Sequence, residues 1–381
     1  MKKRIICLLL AGVMLLIFLL PVRAAELDLT APSAILIEAS TGQVLYENNA
    51  DEKLRPASVT KIMTLLLVME ALDSGRISWD DTVTASAAAA AKGGSQIYLE
   101  ENEQLSMDEM LKSVVVSSAN DCACALAEHI AGSESAFVEM MNSRAQELGM
   151  TNTHFVNCTG LDDEPNASEH LTTARDIAIM SRALLSHSEI KRYTTIWMDT
   201  VRGGQFGLSN TNKLVRFYDG TTGLKTGYTS TAGYCLSASA ERDGMELIAV
   251  VLHCASSTDR FESAKAMLNY GFSNYALVEP DVEGQIPAIP VTLGKTDAVT
   301  PVLEDSTPIL LSKSLAAKAE VSLETEQAVT APVEKGQRLG TVHIAAEGET
   351  LAEIPLICPQ DIPALSFRDL WGMILKVLCM G

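Results

Sequence analysis

Polar and apolar residues alternate over residues 33–48, on either side of a polar turn at Thr41-Gly42-Gln43. A period of two is typical of strands with one buried face, so this stretch predicts a strand, a turn and a second strand. From Ser58 to Leu72 the apolar residues recur at helical spacing, with no breaker inside and Gly75 after the end. This second pattern predicts a helix.

The middle of the chain carries several helix signals. The Ser-Met-Asp-Glu sequence at 106–109 is a capping box, which predicts a helix running to about Val116. A short Ser-Ser-Ala-Asn interruption and a second helix follow. A third helix is predicted over about 133–148, and Thr173 opens a fourth. We therefore expect a helical block in this region.

Strand patterns return at Tyr234–Ala240 and Leu247–His253, joined by Arg242-Asp243-Gly244. Such a pair of runs predicts a β-hairpin, and residues 263–270 then predict a helix. Because strands lie at both ends of the region and helices lie between them, we expect a sheet assembled from distant segments and covered by helices.

The composition changes beyond about Tyr275. Short β-type runs with Pro, Gly and Thr occur there, as in 282–293 and 338–345. These runs predict a second, smaller all-β domain over 276–358, after a main domain over 25–275.

The last segment, 359–381, predicts an amphipathic helix. On a helical projection its charged and small residues fall within an arc of about 100°, and apolar residues fill the rest of the circle. With Trp371 among them, the pattern predicts an anchor that lies in a membrane surface. Docking on the protein's own core is the alternative, and the segment is too short and too interrupted by charge to span a bilayer.

The chain opens with Lys2, Lys3 and Arg4, an apolar run from Ile5 to Leu20, and small residues up to Ala24. This order predicts a signal peptide over 1–24 and export of the protein. An uncleaved membrane anchor is the alternative, because the apolar run is long for an export signal.

Charge and cysteine content exclude several classes of function. The formal net charge is −19, and loss of 1–24 would make it −23. Binding to nucleic acid needs clustered Lys and Arg, so we expect none. The eight cysteines do not form a disulfide framework once the one in the signal is removed. Cys122 and Cys124 diverge on a helix and the histidines lack ligand spacing, so we expect no metal and no cofactor.

The first candidate for chemistry is Ser58-Val59-Thr60-Lys61. Positions i and i+3 share a helix face, so the hydroxyl of Ser58 and the amine of Lys61 can meet. A serine needs a base to become a nucleophile, and a lysine whose pKa is lowered by burial can serve. Taken alone, the motif is more typical of an N-cap serine and a solvated lysine.

Two further motifs follow. Ser118-Ala119-Asn120 lies in the break between two helices, where a hydroxyl can relay protons and an amide can hold a carbonyl; alone it is also a good helix cap. Lys225-Thr226-Gly227 lies at the entry to the β-rich section. On an edge strand it offers positive charge, a hydroxyl for a carboxylate, and a glycine that lets a substrate backbone pass close by. A surface turn is the alternative.

Together, and in this order, the three motifs resemble the active-site set of penicillin-binding proteins and serine β-lactamases. Residues from about 31 to 273 are similar to the D-alanyl-D-alanine carboxypeptidases, which are low-molecular-mass penicillin-binding proteins. The text that carries this resemblance is Arg55-Pro56-Ala57-Ser58-Val59-Thr60-Lys61-Ile62-Met63-Thr64, Phe155-Val156-Asn157-Cys158-Thr159-Gly160-Leu161, Asn212-Lys213-Leu214, Gly223-Leu224-Lys225-Thr226-Gly227-Tyr228-Thr229 and Ala232-Gly233-Tyr234.

The resemblance implies an α/β (α+β) penicillin-binding protein/β-lactamase-like fold, with an antiparallel sheet and a helical subdomain. It implies that Ser58 attacks the carbonyl between two terminal D-alanines, with Lys61 as general base. Ser118 would relay a proton to the leaving amine. Asn120 would orient the substrate amide and Lys61. The substrates would be peptidoglycan stem peptides that end in D-Ala-D-Ala, and β-lactam antibiotics would acylate the same serine.

The resemblance assigns further roles near the third motif. Lys225 would hold Ser118, and Thr226 would receive the terminal carboxylate. The backbone N–H groups of Ser58 and Tyr228 would form the oxyanion hole. Arg260 would assist at the carboxylate, with a surface ion pair as the alternative. The family is held on the outer face of the cytoplasmic membrane, which fits the β domain and the amphipathic tail.

Three other functions remain open on the sequence. A β-lactamase shares the motifs, but the chain continues about 100 residues further and has no Glu-x-x-Leu-Asn pattern after residue 160, where the acidic run 161–164 predicts a solvated loop. A transpeptidase differs only in the acceptor of the acyl group. A non-catalytic cell-wall-binding module would have lost the nucleophile or the base, and both Ser58 and Lys61 are present.

Overall fold

The computed structural model describes residues 27–163, 165–280, 282, 284–306 and 308–380. The predicted signal peptide, 1–24, lies outside the described residues. The strands are β1 (Ser33–Glu38), β2 (Val44–Asn48), β3 (Thr82–Thr84), β4 (Gln104–Ser106), β5 (Met198–Val201), β6 (Phe206–Ser209), β7 (Thr221–Thr229), β8 (Gly233–Arg242), β9 (Met245–Cys254), β10 (Tyr275–Val278), β11 (Ile289–Thr292), β12 (Ala298–Val299), β13 (Val302–Leu303), β14 (Ile309–Ser312), β15 (Glu320–Thr325), β16 (Val329–Thr330), β17 (Arg338–Ala346) and β18 (Glu349–Ile357). The α-helices are α1 (Lys61–Asp73), α2 (Ala87–Ala90), α3 (Met107–Val116), α4 (Asn120–Ala131), α5 (Glu134–Glu147), α6 (Ala174–Leu185), α7 (Lys191–Thr194), α8 (Leu214–Phe217), α9 (Ser257–Asn274), α10 (Lys313–Ala316) and α11 (Phe367–Met380), with short 3-10 helices at Ala57–Thr60, Ala167–Glu169 and Ser188–Ile190.

The main sheet has five strands in the order β2-β1-β9-β8-β7. Every neighbouring pair is antiparallel. Strand β1 pairs with β9, for example Ser33 with Leu252, although the two strands lie far apart in the sequence. The predicted sheet assembled from distant segments is therefore confirmed.

Strands β8 and β9 form the predicted hairpin. Asp243 and Gly244 link them with φ values of 51° and 76°, and positive φ at both central residues is the geometry of a type I′ turn, which matches the twist of the flanking strands. The strands are longer than the sequence pattern indicated, because pairing continues to Arg242 and Met245.

The helices of the middle block begin and end close to their predicted positions. Ser106 and Glu109 make both hydrogen bonds of the capping box that starts α3. Ser58 lies in a 3-10 turn, so the regular helix predicted from Ser58 begins three residues later, at Lys61. Helix α9 is longer than predicted, since the side chain of Ser256 caps it before its polar first turns.

The sheet lies between two apolar layers. One core, which includes most of α1, α3, α4 and α6, packs on the first face. A second core packs α9 on the opposite face, through Phe261, Ala264 and Met267 among others. Helix α1 is buried nearly all round, from Lys61 to Met69 and again at Ala71 and Leu72. The sequence around the first motif therefore lies at the centre of the main domain.

The C-terminal region is built mainly of strands. Its sheets have the orders β12-β11-β16 and β13-β18-β17-β15, and β10 pairs with β14. Two small apolar cores fill it, one around Val291 and Leu339 and the other around Val342 and Leu356. A mixed helix-and-sheet domain followed by an all-β domain is thus the observed architecture.

Helix α11 ends the described chain. Ser366 precedes it and exchanges hydrogen bonds with Asp369, as in a capping box. The side chains of Phe367, Trp371 and Ile374 are exposed, so docking of this face on the protein's own core is wrong. None of the described helices combines the length and the apolarity that crossing a bilayer requires.

Candidate active site

Ser58 lies in the 3-10 turn that leads into α1 and is partly accessible. The preceding residue, Ala57, is buried and has φ of 48°. A non-glycine residue rarely adopts this left-handed conformation, and it persists only where surrounding contacts enforce it. The backbone before the serine is therefore held in an unfavourable shape by its neighbours.

A chain of hydrogen bonds holds the carbonyl of Ala57. The hydroxyl of Thr60 donates to this oxygen at 2.8 Å, and the Nε2 atom of His170 lies 2.9 Å from the same hydroxyl. The N–H of Val156 donates to His170 Nδ1, so the ring proton resides on Nε2 and points to Thr60. Burial lowers the pKa of His170 to about 3, with the charges of His154 and Arg55 adding to the shift. The ring is thus a neutral support of the serine turn.

Lys61 is fully buried and contacts the serine directly. Its Nζ atom lies 2.9 Å from Ser58 Oγ and donates to the carbonyl of Thr159 at 2.8 Å. Burial lowers the pKa of Lys61 to about 7, while Cys158 and Asp121 oppose the shift. A neutral amine beside a serine hydroxyl can accept its proton, so the pair is suited to general-base activation of Ser58.

Asp121 is a buried carboxylate whose role the sequence did not reveal. It accepts hydrogen bonds from the backbone N–H groups of Ile97, Leu99 and Cys122. The residue therefore ties the segment before β4 to the start of α4, and its negative charge lies close enough to favour the protonated form of Lys61.

Ser118 lies in the predicted break between α3 and α4, and Asn120 is the first residue of α4. Ser118 has φ of 63°. Asn120 donates from Nδ2 to the carbonyl of Gly93 at 2.7 Å. The hydrogen bonds of Lys61 go to Ser58 and Thr159, so the expected contact between Asn120 and Lys61 is not among them.

Three buried polar side-chain atoms lack a hydrogen-bond partner in the part of the chain that the structure describes. They are Ser118 Oγ, Asn120 Oδ1 and Arg260 Nε. Buried polar atoms are normally paired because an unpaired one costs about 1–3 kcal/mol. All three belong to residues singled out in the sequence, so unused hydrogen-bonding capacity is concentrated at the candidate site.

Lys225 lies on β7 and is buried. Its Nζ atom donates to the carbonyl of Thr226 at 3.0 Å. Burial lowers its pKa well below the ordinary value, and the positive charges of Lys61 and Arg260 add to this. The expected hydrogen bond from Lys225 to Ser118 is absent, because Ser118 Oγ has no partner among the described residues.

The prediction for Gly227 needs correction. We expected its lack of a side chain to admit a substrate backbone. A Cβ atom at this position would instead lie 2.6 Å from the carbonyl of Pro56 and 3.0 Å from the backbone nitrogen of Ser58. Gly227 therefore allows β7 to pack directly against the turn that carries the serine.

The remaining predicted residues surround the same strand. Thr226 donates from Oγ1 to Thr211 Oγ1 at 2.7 Å, and the side chain of Tyr228 is exposed. Arg260 is buried and donates from Nη1 to the carbonyl of Gly227 at 3.0 Å. The surface ion pair considered for Arg260 is therefore wrong, and the guanidinium lies behind β7.

Gly160 is a further residue that sequence reasoning passed over. Its φ is 82°, and a Cβ atom there would lie 1.9 Å from the carbonyl oxygen of Ala57. No larger residue fits, so this glycine lets the loop that carries Thr159 approach both Ala57 and Lys61. Gly160 is part of the sequence that resembles the carboxypeptidase family, but neighbouring residues did not indicate that it would pack against the backbone of Ala57.

Comparison with known proteins matches residues 21–256 to the family model of the D-alanyl-D-alanine carboxypeptidases, peptidase family S11. The chain belongs to the D-alanyl-D-alanine carboxypeptidase family. A second family model, the C-terminal domain of penicillin-binding protein 5, matches residues 275–364. As a member, the chain is a serine-type hydrolase with a penicillin-binding fold, and the fold and enzyme class predicted from the sequence are confirmed.

Relatives in this family cover from about two thirds to nearly all of the chain. D-alanyl-D-alanine carboxypeptidase DacF of Bacillus subtilis (strain 168) is 41% identical over 96% of this chain and 96% of its own length. The crystal structure of penicillin binding protein 5 from Haemophilus influenzae is similar with a TM-score of 0.74 and 31% identity, covering 88% of this chain and 98% of that one. Penicillin-Binding Protein D2 from Listeria monocytogenes, in the ampicillin-bound form, is similar with a TM-score of 0.59 and 32% identity, over 65% of this chain and 99% of that one.

Members of the family act on peptidoglycan in the cell envelope, which is consistent with export of this protein. The carboxypeptidase family also argues against the β-lactamase and the non-catalytic module as the main function.

Proposed function

We propose that this carboxypeptidase removes the terminal D-alanine from peptidoglycan stem peptides through an acyl-enzyme on Ser58. The observation that carries this proposal is the 2.9 Å contact between Ser58 Oγ and Lys61 Nζ, made by a lysine whose pKa lies near 7. Lys61 takes the hydroxyl proton as Oγ forms a bond to the carbonyl carbon. The bond from this carbon to the D-alanine nitrogen then breaks.

Ser118 and Asn120 act on the substrate with their unpaired atoms. Ser118 Oγ relays a proton to the departing amine of D-alanine, and Asn120 Oδ1 accepts a hydrogen bond from the substrate amide. This role is supported because both atoms are buried without a hydrogen-bond partner. A substrate that forms hydrogen bonds to them removes the energetic cost of leaving buried polar atoms unpaired. Water then attacks the acyl-enzyme and releases the shortened peptide.

The strand β7 binds the carboxylate end of the substrate. Lys225 provides positive charge, Thr226 Oγ1 contacts the carboxylate, and Arg260 adds charge from behind the strand. The backbone N–H groups of Ser58 and Tyr228 form the oxyanion hole. The close packing of Gly227 on the serine turn supports this, because it brings the two segments side by side. Each such donor contributes about 3–4 kcal/mol to transition-state binding in a serine protease.

β-Lactam antibiotics acylate the same serine. Their strained amide resembles the D-Ala-D-Ala bond, and the similar Listeria protein has an ampicillin-bound form. No metal or organic cofactor takes part in this chemistry.

The chain functions outside the cytoplasm, in three parts. Residues 1–24 act as a signal peptide, 25–275 form the catalytic domain and 276–358 the C-terminal β domain. Residues 359–381 hold the enzyme on the outer face of the cytoplasmic membrane through α11. The exposed Phe367, Trp371 and Ile374 support the last assignment, because an exposed apolar helix face with an interfacial Trp suits a membrane surface.

The deciding experiment measures D-alanine release from a short peptide that ends in D-Ala-D-Ala. Wild type is compared with Ser58→Ala and with Ser74→Ala, a control at the opposite end of α1. We expect release from wild type and from the control, and none from Ser58→Ala. Release that survives in Ser58→Ala would contradict the nucleophile. Wild type that binds penicillin covalently yet releases no D-alanine would indicate a transpeptidase.

A separate experiment tests the anchor. A chain ending at Ala364 is compared with the full chain for sedimentation with anionic lipid vesicles. We expect the shortened chain to stay in solution and to keep its activity. Persistent binding of the shortened chain to vesicles would place the main contact elsewhere.

A further inference from the structure

Two thiols and a carboxylate meet beside the active site, although they are far apart in the sequence. Cys124 lies on α4, Glu134 begins α5, and Cys158 lies in the loop before Gly160. One donor atom from each of the three residues lies within 4.8 Å of the other two. Both cysteines are buried free thiols, whereas the side chain of Glu134 is 22% exposed.

The carboxylate of Glu134 accepts hydrogen bonds from both cysteines. Its Oε1 accepts from Cys158 Sγ and from the Cys158 backbone N–H, both at 3.2 Å. Its Oε2 accepts from Cys124 Sγ at 3.8 Å and from Lys92 Nζ at 2.7 Å. The three potential ligands are thus oriented towards one another before any ion is present.

We propose that Cys124, Glu134 and Cys158 form a binding site for a soft divalent cation such as Zn²⁺. Thiolate sulfur and carboxylate oxygen bind Zn²⁺ at about 2.3 Å and about 2.0–2.2 Å, so tetrahedral ligand atoms lie roughly 3.3–3.8 Å apart. Side-chain shifts of about 1 Å bring the observed cluster to that spacing. Because the side chain of Glu134 is 22% exposed, water can supply the fourth ligand from that side.

Charge balance favours a divalent ion. On binding, the two thiols release their protons to solvent and form two sulfur–metal bonds, and Glu134 forms one oxygen–metal bond. Two thiolates and a carboxylate carry three negative charges, and Lys92 beside Oε2 carries one positive charge. A divalent cation makes the cluster neutral, which suits its burial.

The site lies next to the general base. The carbonyl of Cys158 accepts from Thr64 Oγ1 at 2.6 Å, and the carbonyl of Thr159 accepts from Lys61 at 2.8 Å. A bound cation would therefore fix the backbone segment that positions Lys61. This site was not predicted from the sequence, because the ligands at 124, 134 and 158 do not follow a short-range metal-binding spacing.

Titration of the reduced full-length chain with Cd²⁺ tests the proposal, with thiolate-to-metal charge-transfer absorption as the readout. We expect one equivalent to bind. Loss of an outer-shell partner already weakens metal binding about 10–100-fold, so Cys124→Ser and Cys158→Ser should each weaken it by at least about 100-fold. Cys122→Ser is the matched control, since Cys122 is buried on the same helix outside the cluster, and it should bind as wild type does.

A second measurement needs no variant and so does not depend on the folding of the serine substitutions. One equivalent of Zn²⁺ should slow alkylation of Cys124 and Cys158 in the wild-type chain and leave Cys122 unchanged, as mapped by mass spectrometry. The proposal is overturned if no charge-transfer band appears, if the band survives in both Cys124→Ser and Cys158→Ser, or if the two thiols only form a disulfide and bind no cation.

Discussion

Helices α1 and α11 are similar in length and both are strongly apolar, yet α1 is buried and α11 is exposed. Helix α1 is buried from Lys61 to Met69. Helix α11 exposes Phe367, Leu370 and Trp371. An apolar helix therefore indicates that its surface is covered, but only its position in the fold indicates whether the protein's own core or another molecule covers it.

The two helices also differ in the surroundings of their charged side chains. Helix α1 lies between the main sheet and the helical block, and the low polarity there lowers the pKa of Lys61 to about 7. Helix α11 follows the β domain, and its charged Arg368 is exposed. Burial makes the first helix chemically active, whereas exposure leaves the second free to bind an external apolar surface.

The largest expected difference between the helices concerns catalysis. Lys61→Ala removes the general base, so we expect penicillin to acylate the protein at least about 10³-fold more slowly. Arg368→Ala, a loss of charge from α11, should leave the rate unchanged. The measurement is the second-order rate of covalent labelling by a fluorescent penicillin. A Lys61→Ala enzyme that labels within tenfold of wild type would show that another group takes the proton.

The next effect concerns stability. Leu66→Ala leaves a cavity in the packed core around α1, so we expect the free energy of unfolding to fall by about 2–5 kcal/mol. Ile374→Ala on α11 removes an exposed side chain and should change it by less than about 0.5 kcal/mol. Urea unfolding of both variants in the absence of lipid gives the comparison. Equal losses would mean that α11 packs on the protein in solution.

The pH dependence of acylation sharpens the comparison further. Lys61 acts as a base only when it is neutral, and the neutral fraction falls about tenfold per pH unit below a pKa of about 7. The acylation rate should therefore rise with pH up to about 7 and then level off. Vesicle binding through α11 should not follow this profile. An acylation rate that stays flat from pH 5 to 8 would contradict a lowered pKa for Lys61.

The smallest expected effect is at the proposed membrane contact of α11. Trp371→Ala removes apolar area from the exposed face of α11, so we expect vesicle binding to weaken about tenfold. Trp79→Ala, which removes a partly exposed Trp from the catalytic domain, serves as the control and should bind normally. Equal binding by both variants would exclude Trp371 from the contact.

Much of the fold was predictable because its signals are local. The capping box at Ser106 and Glu109 started α3 as expected, and Asp243-Gly244 made the hairpin turn between β8 and β9. Each signal depends on residues only a few positions apart, whose geometry is set by hydrogen bonds and backbone preference. Boundaries were less accurate, as at α9, where a polar first turn hid the helix start.

The candidate site was predictable where the motifs name its side chains, whereas the buried carboxylate of Asp121 and the contacts made by backbone atoms were not predictable. Ser58 and Lys61 were identified from the three motifs in order and from the family resemblance, and the structure brings them together. The carbonyl of Thr159 was not found, because every residue has a carbonyl and only the folded loop selects this one. The role of Gly227 was misread for the same reason: a glycine does not specify which neighbour it admits.

The order of strands in the main sheet has a consequence for when the enzyme first becomes reactive. A growing chain that ends just after Gly227 already contains the residues of all three motifs. It still lacks β8 and β9, the two strands that join β1 to β7. Long-range pairing of this kind is slow and comes late in folding. We therefore expect the serine to meet its lysine in a completed cleft only after residue 254 has been made, so prematurely terminated chains should carry the motifs without the activity.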